Sequence, residues 1–234
     1  AARWPYGEAK VLLGVSGADA IEMALKLAYI ATGRTGTAAF DGSWHGAALG
    51  ALSVGGTTGE KAGLPALENC HHAPSYWPRH QGEEVETCAR NAFAGLKQIL
   101  ESRKIAALIA EPVRSTGQTA PDWFWPEVRA LCDRTGTLMI FDEIPTGLGK
   151  TGRFFASEHT GVRPDMTVLG KSLGGGILPL SAVIAREDIN VAGHLGIGHY
   201  THQKNPVLAR AGIETIKILE EEDLIGGAAA KGRG

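Results

Sequence analysis

Short apolar runs alternate along the chain with longer segments in which apolar residues recur every three or four positions. A continuous apolar run is typical of a strand buried on both faces, and the wider spacing indicates one apolar face of a helix. The runs predict strands at residues 11–13, 37–40, 105–110, 137–141, 166–169 and 182–185. The wider spacing predicts helices over residues 18–33, 85–100, 126–134 and 206–220. This alternation predicts an α/β fold, a mostly parallel sheet with helices on both faces.

The other segments predict turns and loops. Residues 52–80, rich in Gly, Pro and His, predict the longest irregular stretch, and residues 226–234 predict a frayed tail. Glycine makes up 32 of the 234 residues, about twice its usual share of ~7%. Because glycine has no Cβ, the excess predicts turns and close approaches of the backbone to another group. Both ends resemble cut edges, so we expect a piece of a longer chain.

Composition excludes several classes of function. The 23 Lys and Arg residues against 25 Asp and Glu give a net charge of −2, which excludes binding to nucleic acid or to a membrane surface through a basic excess. No apolar run is long enough to span a membrane, and the first residues lack the apolar core of a signal peptide. Cys70, Cys88 and Cys132 are odd in number and have no paired spacing, so we expect a reducing, cytoplasmic location.

Chemically active residues follow the predicted strands, at the sheet edge where α/β proteins bind ligands. Lys171 comes after a buried strand, and a lysine withdrawn from water holds its proton less tightly and becomes a nucleophile toward aldehydes. Asp142 ends another buried strand and requires a cationic partner such as a protonated ring nitrogen. Each also has a structural interpretation: Lys171 as a surface lysine in a glycine-rich turn, and Asp142 as a cap or a structural ion pair.

Two further parts extend this set. Ser16, Gly17 and Ala18 open a helix whose free N–H groups and dipole suit a phosphate, although a plain helix cap explains the same residues. Trp44 offers a flat apolar face, although core packing explains it too. Together, a phosphate site, an aromatic face, an acid for a ring nitrogen and a lysine for an aldehyde describe pyridoxal 5′-phosphate (PLP).

Other motifs predict no separate site. Residues 147–152 fit G-x-G-x-x-G, but no clear helical pattern follows, so we predict a turn rather than a dinucleotide site. The Gly-Lys-Ser and Gly-Lys-Thr tripeptides lack the first glycine of a P-loop. His71-His72 and His199-x-x-His202 have no Cys or carboxylate at ligand spacing, so we predict no metal site.

Five stretches resemble the class III (ω-type) PLP-dependent aminotransferases. They are SGADAIEMALKLA, FDGSWHG, AALIAEPV, the long segment from VRALCDRTG to LPLSAVIA, and HYTHQKNPV. The spacing of 29 residues from Asp142 to Lys171 also suits that family. The resemblance implies a fold type I PLP-transferase large domain with a seven-stranded-type sheet. Residues 1–220 would be this domain with an incomplete N-terminal segment, and residues 221–234 a C-terminal tail without the small domain.

The resemblance also implies roles for residues around the cofactor. Lys171 matches the lysine that forms the Schiff base with PLP and moves the substrate proton. Asp142 matches the partner of the pyridinium nitrogen. Ser16, Gly17 and Ala18 match the phosphate cradle.

Five more positions complete the implied site. Trp44 and Ile144 match the residues on the two faces of the ring. His45 and Glu111 match positions close to the cofactor. Thr201 matches a threonine that contacts the phosphate of the neighbouring subunit, which implies a homodimer.

The implied activity is transfer of an amino group between an amine or amino acid and a 2-oxo acid. Three departures from the family pattern leave this open. Pro145 replaces a glutamine that binds the ring hydroxyl, and Arg114-Ser115-Thr116-Gly117 replaces the usual Gln-Gly-Glu-Gly-Gly run. His202-Gln203-Lys204 replaces a smaller, more neutral loop. The alternatives are a PLP-dependent lyase or racemase, acting on an amino alcohol phosphate or aminophosphonate, and an inactive cofactor-binding fragment.

Overall fold

A computed structural model describes residues 1–233, and this part of the chain builds a sheet of seven strands. The strands are β1 (Ala9–Gly14), β2 (Gly36–Phe40), β3 (Cys70–Ala73), β4 (Ile105–Ala110), β5 (Leu138–Asp142), β6 (Met166–Leu169) and β7 (Ser181–Arg186). Across the sheet their order is β1-β7-β6-β5-β4-β2-β3. Five neighbouring strands run parallel to one another: β3, β2, β4, β5 and β6. Strand β7 is antiparallel to both of its neighbours, β6 and β1. The predicted mostly parallel sheet is confirmed.

The predicted helices form with small shifts at their ends. The helices are α1 (Gly17–Thr32), α2 (Leu49–Val54), α3 (Val85–Glu101), α4 (Phe124–Thr135), α5 (Pro206–Glu221) and α6 (Leu224–Lys231). Ser16 caps α1 by accepting a hydrogen bond from the backbone N–H of Asp19 at 3.0 Å, and Gly33 ends it in the left-handed conformation. None of the helices in residues 1–233 has the length and apolarity needed to cross a membrane.

Strand β4 explains why continuous apolar runs predict the central strands. All six of its residues are buried. Ala107 and Ile109 pack in the core that contains α1, and Leu108 and Ala110 pack in the core that contains α3 and α4. Alternate side chains of a strand point to opposite faces, so a strand with a core on each face is apolar throughout.

The prediction of an irregular stretch over residues 52–80 is wrong in two places. Helix α2 extends into it, and β3 forms within it by pairing with β2, with Cys70 opposite Thr37. The four residues of β3 include two histidines and lie at the edge of the sheet, so they carry no apolar run or alternation. Only the pairing with β2 makes this segment a strand.

The prediction of a frayed tail is wrong for residues 226–231, which belong to α6 and pack against the turn at residues 147–152; residue 234 lies outside the described residues. A Cβ on Gly149 would lie 2.7 Å from Cγ1 of Ile225, and one on Gly152 would lie 2.8 Å from Cβ of Ala229. Both glycines have positive φ, +88° and +81°. The G-x-G-x-x-G glycines therefore serve a tight turn and the approach of a helix, and the turn prediction is confirmed.

Candidate active site

The carboxyl ends of β2, β4, β5 and β6 and the start of α1 surround a cavity of about 220 Å³. Its lining residues are Gly17, Ala18, Trp44, His45, Gly46, Glu111, Ser115, Asp142, Ile144, Pro145 and Lys171. All the residues predicted for the site are in this set except Ser16 and Thr201. Ser16 turns its side chain to Asp19 as a helix cap, and Thr201 is exposed elsewhere on the chain.

Asp142 lies at the floor of the cavity and is held by two contacts. Its Oδ2 lies 2.8 Å from Nδ1 of His45, and its Oδ1 accepts a hydrogen bond from the backbone N–H of Ile144 at 3.0 Å. Both side chains of the pair are buried. Nε2 of His45 is buried and has no hydrogen-bond partner within residues 1–233. Asp142 is therefore held by a side chain from the turn after β2 and by the backbone that follows β5.

Ile144 and two glycines bring three chain segments close together. A Cβ on Gly17 would lie 2.8 Å from Cδ1 of Ile144. A Cβ on Gly46, whose φ is +127°, would lie 2.9 Å from Cβ of Ala18. Gly46 requires glycine because its φ strains any side chain and its Cβ would meet Ala18, whereas a Cβ on Gly17 would push the end of the Ile144 side chain aside. The N–H groups at the start of α1 have no partner inside the helix and are free to bind an anion.

Lys171 lines the cavity but is exposed, so the expectation that it is withdrawn from water is wrong. Lys171 begins a single 3₁₀ turn, Lys171–Gly174, which follows the carboxyl end of β6. Its φ of +43° is left-handed, a strained conformation for a residue with a side chain. Burial and the charge of Lys171 lower the pKa of Lys150, a second ammonium group close to this turn.

Trp44 stands at the mouth of the cavity with 41% of its surface exposed. Core packing is therefore excluded as its role. The turn that carries it begins at the end of β2, where Gly42 has a φ of +77° and donates its N–H to the carbonyl of Gly56 at 3.0 Å. The indole face remains available to a flat ligand.

Glu111 forms the second buried acid of the cavity, and its partner is Arg114. Nη1 of Arg114 lies 2.6 Å from Oε2 of Glu111, and both side chains are largely buried. Burial raises the pKa of Glu111, and the positive charge of Arg114 opposes that rise. Sequence reasoning did not assign Arg114 to the site, although a cation three residues after an expected buried acid is the signal that identifies it.

The histidines considered as metal ligands do not assemble a site. Nε2 of His72 lies 3.2 and 2.9 Å from the carbonyl oxygens of Val54 and Gly55. Across residues 1–233, no three His, Cys, Asp or Glu side chains are grouped so that they could hold a metal ion.

The family described as "Aminotransferase class-III" matches residues 2–234. The chain belongs to the class III aminotransferase family. The resemblance seen in the sequence is thereby confirmed.

Relatives within this family differ in the reaction they catalyse. The chain is 36% identical to a 5-aminovalerate aminotransferase of Pseudomonas putida, over 95% of this chain and 53% of that protein. It is 34% identical to an (R)-1-hydroxy-2-aminoethylphosphonate ammonia-lyase of Vibrio splendidus, over 92% of this chain and 49% of that protein. It is also 34% identical to an alanine/serine racemase of Pyrococcus horikoshii, over 94% and 49%. This class III chain thus spans about half the length of these relatives.

Solved structures of the family share the fold. An amine transaminase from an uncultivated Pseudomonas species, in its PLP-bound form, superposes with a TM-score of 0.86 and 32% identity, over 96% of this chain and 55% of that one. An omega transaminase from Pseudomonas jessenii in complex with PMP superposes with a TM-score of 0.89 and 27% identity, over 99% and 56%. The class III chain therefore has the PLP-transferase fold expected from its sequence.

Proposed function

We propose that this chain forms the cofactor-binding part of a PLP-dependent aminotransferase. The observation that carries the proposal is that Asp142, at the end of β5, and Lys171, after the end of β6, line the same cavity. An acid for a ring nitrogen and a lysine for an aldehyde are the two groups that PLP chemistry requires of a protein. PLP-bound transaminase structures with the same fold support this proposal.

The residues present fit PLP. The close approach of Gly17 to Ile144 and of Gly46 to Ala18 leaves backbone rather than side chains at the start of α1. There the free N–H groups of Gly17 and Ala18 would hold the phosphate. Trp44 and Ile144 would bind the two faces of the ring, and Asp142 would bind its nitrogen.

When bound, PLP supplies an aldehyde that accepts the substrate amine and a ring that accepts electrons from its Cα. The chain's own residues do the rest. Asp142 would keep a proton on the ring nitrogen, and His45 holds the Asp142 carboxylate in place. Nζ of Lys171 would hold the cofactor and, when free of it, would take up the proton from the substrate Cα and return it.

A lyase or racemase is the second candidate, because relatives with both activities match most of this chain at 34% identity. Pro145 lines the cavity where family transaminases carry glutamine, which also separates this chain from them. An inactive, cofactor-binding fragment is the third candidate.

One assay distinguishes the three. The purified chain with PLP is incubated with candidate amines, with and without pyruvate or 2-oxoglutarate. Amino-acid product that appears only with the oxo acid supports transfer. Ammonia or phosphate released without an acceptor supports the lyase, and inversion of a chiral amino acid supports the racemase. PLP binding without any product supports the inactive fragment.

We further propose a homodimer in which the exposed Thr201 contacts the phosphate of the partner's cofactor. Residues 1–220 are proposed as the large domain, with residues 221–234 as a C-terminal extension. A cytoplasmic location agrees with the three free cysteines, Cys70, Cys88 and Cys132.

A further inference from the structure

Arg114 contacts three separate segments behind the cavity. Its Nη1 donates to Glu111, at the end of β4, at 2.6 Å. Its Nη2 donates to the carbonyl of Gly42, in the turn after β2, at 3.3 Å. Its guanidinium lies 4.2 Å from the centre of the Trp77 ring, in the segment after β3. A planar guanidinium makes all three contacts at once, which a lysine ammonium does not.

The charges around Arg114 explain why a cation is needed there. Glu111 is buried, and Asp142 lies close enough for its negative charge to act on Glu111. Burial and the charge of Asp142 raise the pKa of Glu111, whereas Arg114 and, to a lesser extent, His45 lower it. Arg114, itself 12% exposed, compensates the charge of Glu111 and leaves the Asp142 carboxylate to its own partners.

The contact with Gly42 links this ion pair to the residues that face the ligand. Gly42 is in the short turn that continues to Trp44 and His45. His45 in turn contacts Asp142. A displacement of the turn would therefore move both the aromatic face and the partner of the Asp142 carboxylate.

We propose that Arg114 is a positioning residue that clamps the turn of residues 41–46 to Glu111 and so orients Trp44 and His45 toward the cofactor ring. This inference rests on the proposed function, because it assumes that PLP occupies the cavity. Arg114 itself does not line the cavity and acts through the residues it holds.

The test compares R114M with R90M. Methionine keeps an unbranched apolar side chain over Trp77 but removes the charge and the donors. Arg90 is a matched control because it pairs with Glu86 and lies near the Trp123 ring, but its side chain is 69% exposed on α3. The measurements are hydrogen exchange of residues 41–46 without cofactor, the Kd for PLP, and the circular dichroism of the bound cofactor's visible band.

R114M is expected to exchange faster at residues 41–46, to bind PLP at least about tenfold more weakly, and to show an altered visible circular dichroism band. R90M should match the wild type in all three. R114K keeps the positive charge but loses the planar guanidinium with its several N–H donors. Its exchange rate, Kd for PLP and visible band should lie between those of R114M and the wild type.

The inference fails if R114M folds and matches R90M in exchange, affinity and spectrum. If R114M does not fold, R114K decides the matter: a wild-type exchange rate and Kd in R114K overturn the clamp, and an intermediate loss supports it. A wild-type chain that binds no PLP contradicts the proposed function instead.

Discussion

Nδ1 of His45 lies 2.8 Å from Oδ2 of Asp142, and both side chains are buried, although 97 residues separate them in the chain. The pair joins the turn after β2 to the end of β5. Because the backbone N–H of Ile144 binds the other carboxylate oxygen, Asp142 has a single orientation in the site. A carboxylate held in a fixed position is what the proposed role of Asp142 toward a ring nitrogen calls for.

The first prediction concerns the charge of Asp142. D142N keeps the shape of the side chain but removes the negative charge that would hold a proton on the ring nitrogen. We expect turnover to fall by about 10²–10⁴-fold, the range for loss of a positioned proton-transfer partner. The measurement is the rate of amine consumption at saturating PLP, together with thermal unfolding to show that D142N folds. D122N, at an exposed aspartate, is the control, and wild-type turnover in D142N would refute the role of Asp142.

The second prediction concerns the anchor of the cofactor. K171A should abolish covalent attachment of PLP, because only an amine in the cavity can bond to the aldehyde. The measurement is borohydride reduction of the loaded chain followed by peptide mapping, with loss of the visible band as a second readout. K150A is the matched control, since Lys150 lies near the same turn but does not line the cavity. A labelled peptide that contains Lys150 or Lys204 would show that another lysine is the anchor.

The third prediction concerns the close approach at the start of α1. In G17A the new methyl group would lie 2.8 Å from Cδ1 of Ile144, so Ile144 or the helix start must shift. We expect a loss of about 1–3 kcal/mol of PLP binding energy or of stability, typical of overpacking. Titration with PLP and urea unfolding separate the two effects. G17A/I144V should recover part of the loss, and G59A, with open space around its Cβ, should lose nothing through crowding.

The fourth prediction concerns pH and Glu143. This buried carboxyl accepts hydrogen bonds from the backbone N–H groups of Ala156 at 2.5 Å and Ser157 at 3.0 Å. Burial raises its pKa to about 7, and the hydrogen bonds from Ser157 and Ala156 oppose the rise. An acid with a raised pKa binds its proton more tightly in the folded state, so its stabilising contribution is complete at low pH and is lost as the pH rises toward 7.

E143Q removes this titration. The free energy of unfolding of the wild type, relative to E143Q, should fall by about 3 kcal/mol between pH 4 and pH 8. Urea unfolding of both proteins across this range measures the difference. The contributions of the other titrating groups are the same in both proteins and cancel in the comparison. Parallel stability curves would show that Glu143 has an ordinary pKa.

The fifth prediction concerns Thr201 and the dimer. T201V removes a hydroxyl that does not line the cavity of its own chain, yet we expect PLP to bind about five- to tenfold more weakly because a phosphate hydrogen bond from the partner is lost. Mixed dimers of T201V and K171A contain one site with both residues intact, and that site should bind PLP with the wild-type affinity that T201V alone lacks. T58V, at another exposed threonine, is the control. A monomer in solution, or no effect of T201V, contradicts the proposal.

The residues that follow central strands were predictable from sequence alone. Because β4, β5 and β6 are buried on both faces, their ends are visible as the ends of apolar runs. Glu111, Asp142 and Lys171 therefore stand out by position, and the family resemblance adds an expected role to each. The start of α1 was visible for a similar reason, since Ser16 is a strong helix cap before an apolar periodicity.

Features that depend on contacts between distant segments were not predictable. Strand β3 lacks an apolar pattern and exists through its pairing with β2. Helix α6, rich in Gly and Ala, forms against the turn that contains Gly149 and Gly152. Strand β3 has weak local propensity, and α6 is too short, with two glycines among its eight residues, to be stable alone, so tertiary packing decides their structure.

The same division applies within the candidate site. The sequence determined which chemical groups lie at the carboxyl ends of the strands, because a run of apolar residues marks a buried strand and the end of the run marks where the strand ends. Only the tertiary structure decided that His45 is the partner of Asp142, that Arg114 joins Glu111 to Gly42, and that Lys171 is exposed. Hydrogen bonds and charge pairs act over a few ångströms between segments that are far apart in the chain, and a linear pattern does not record those distances.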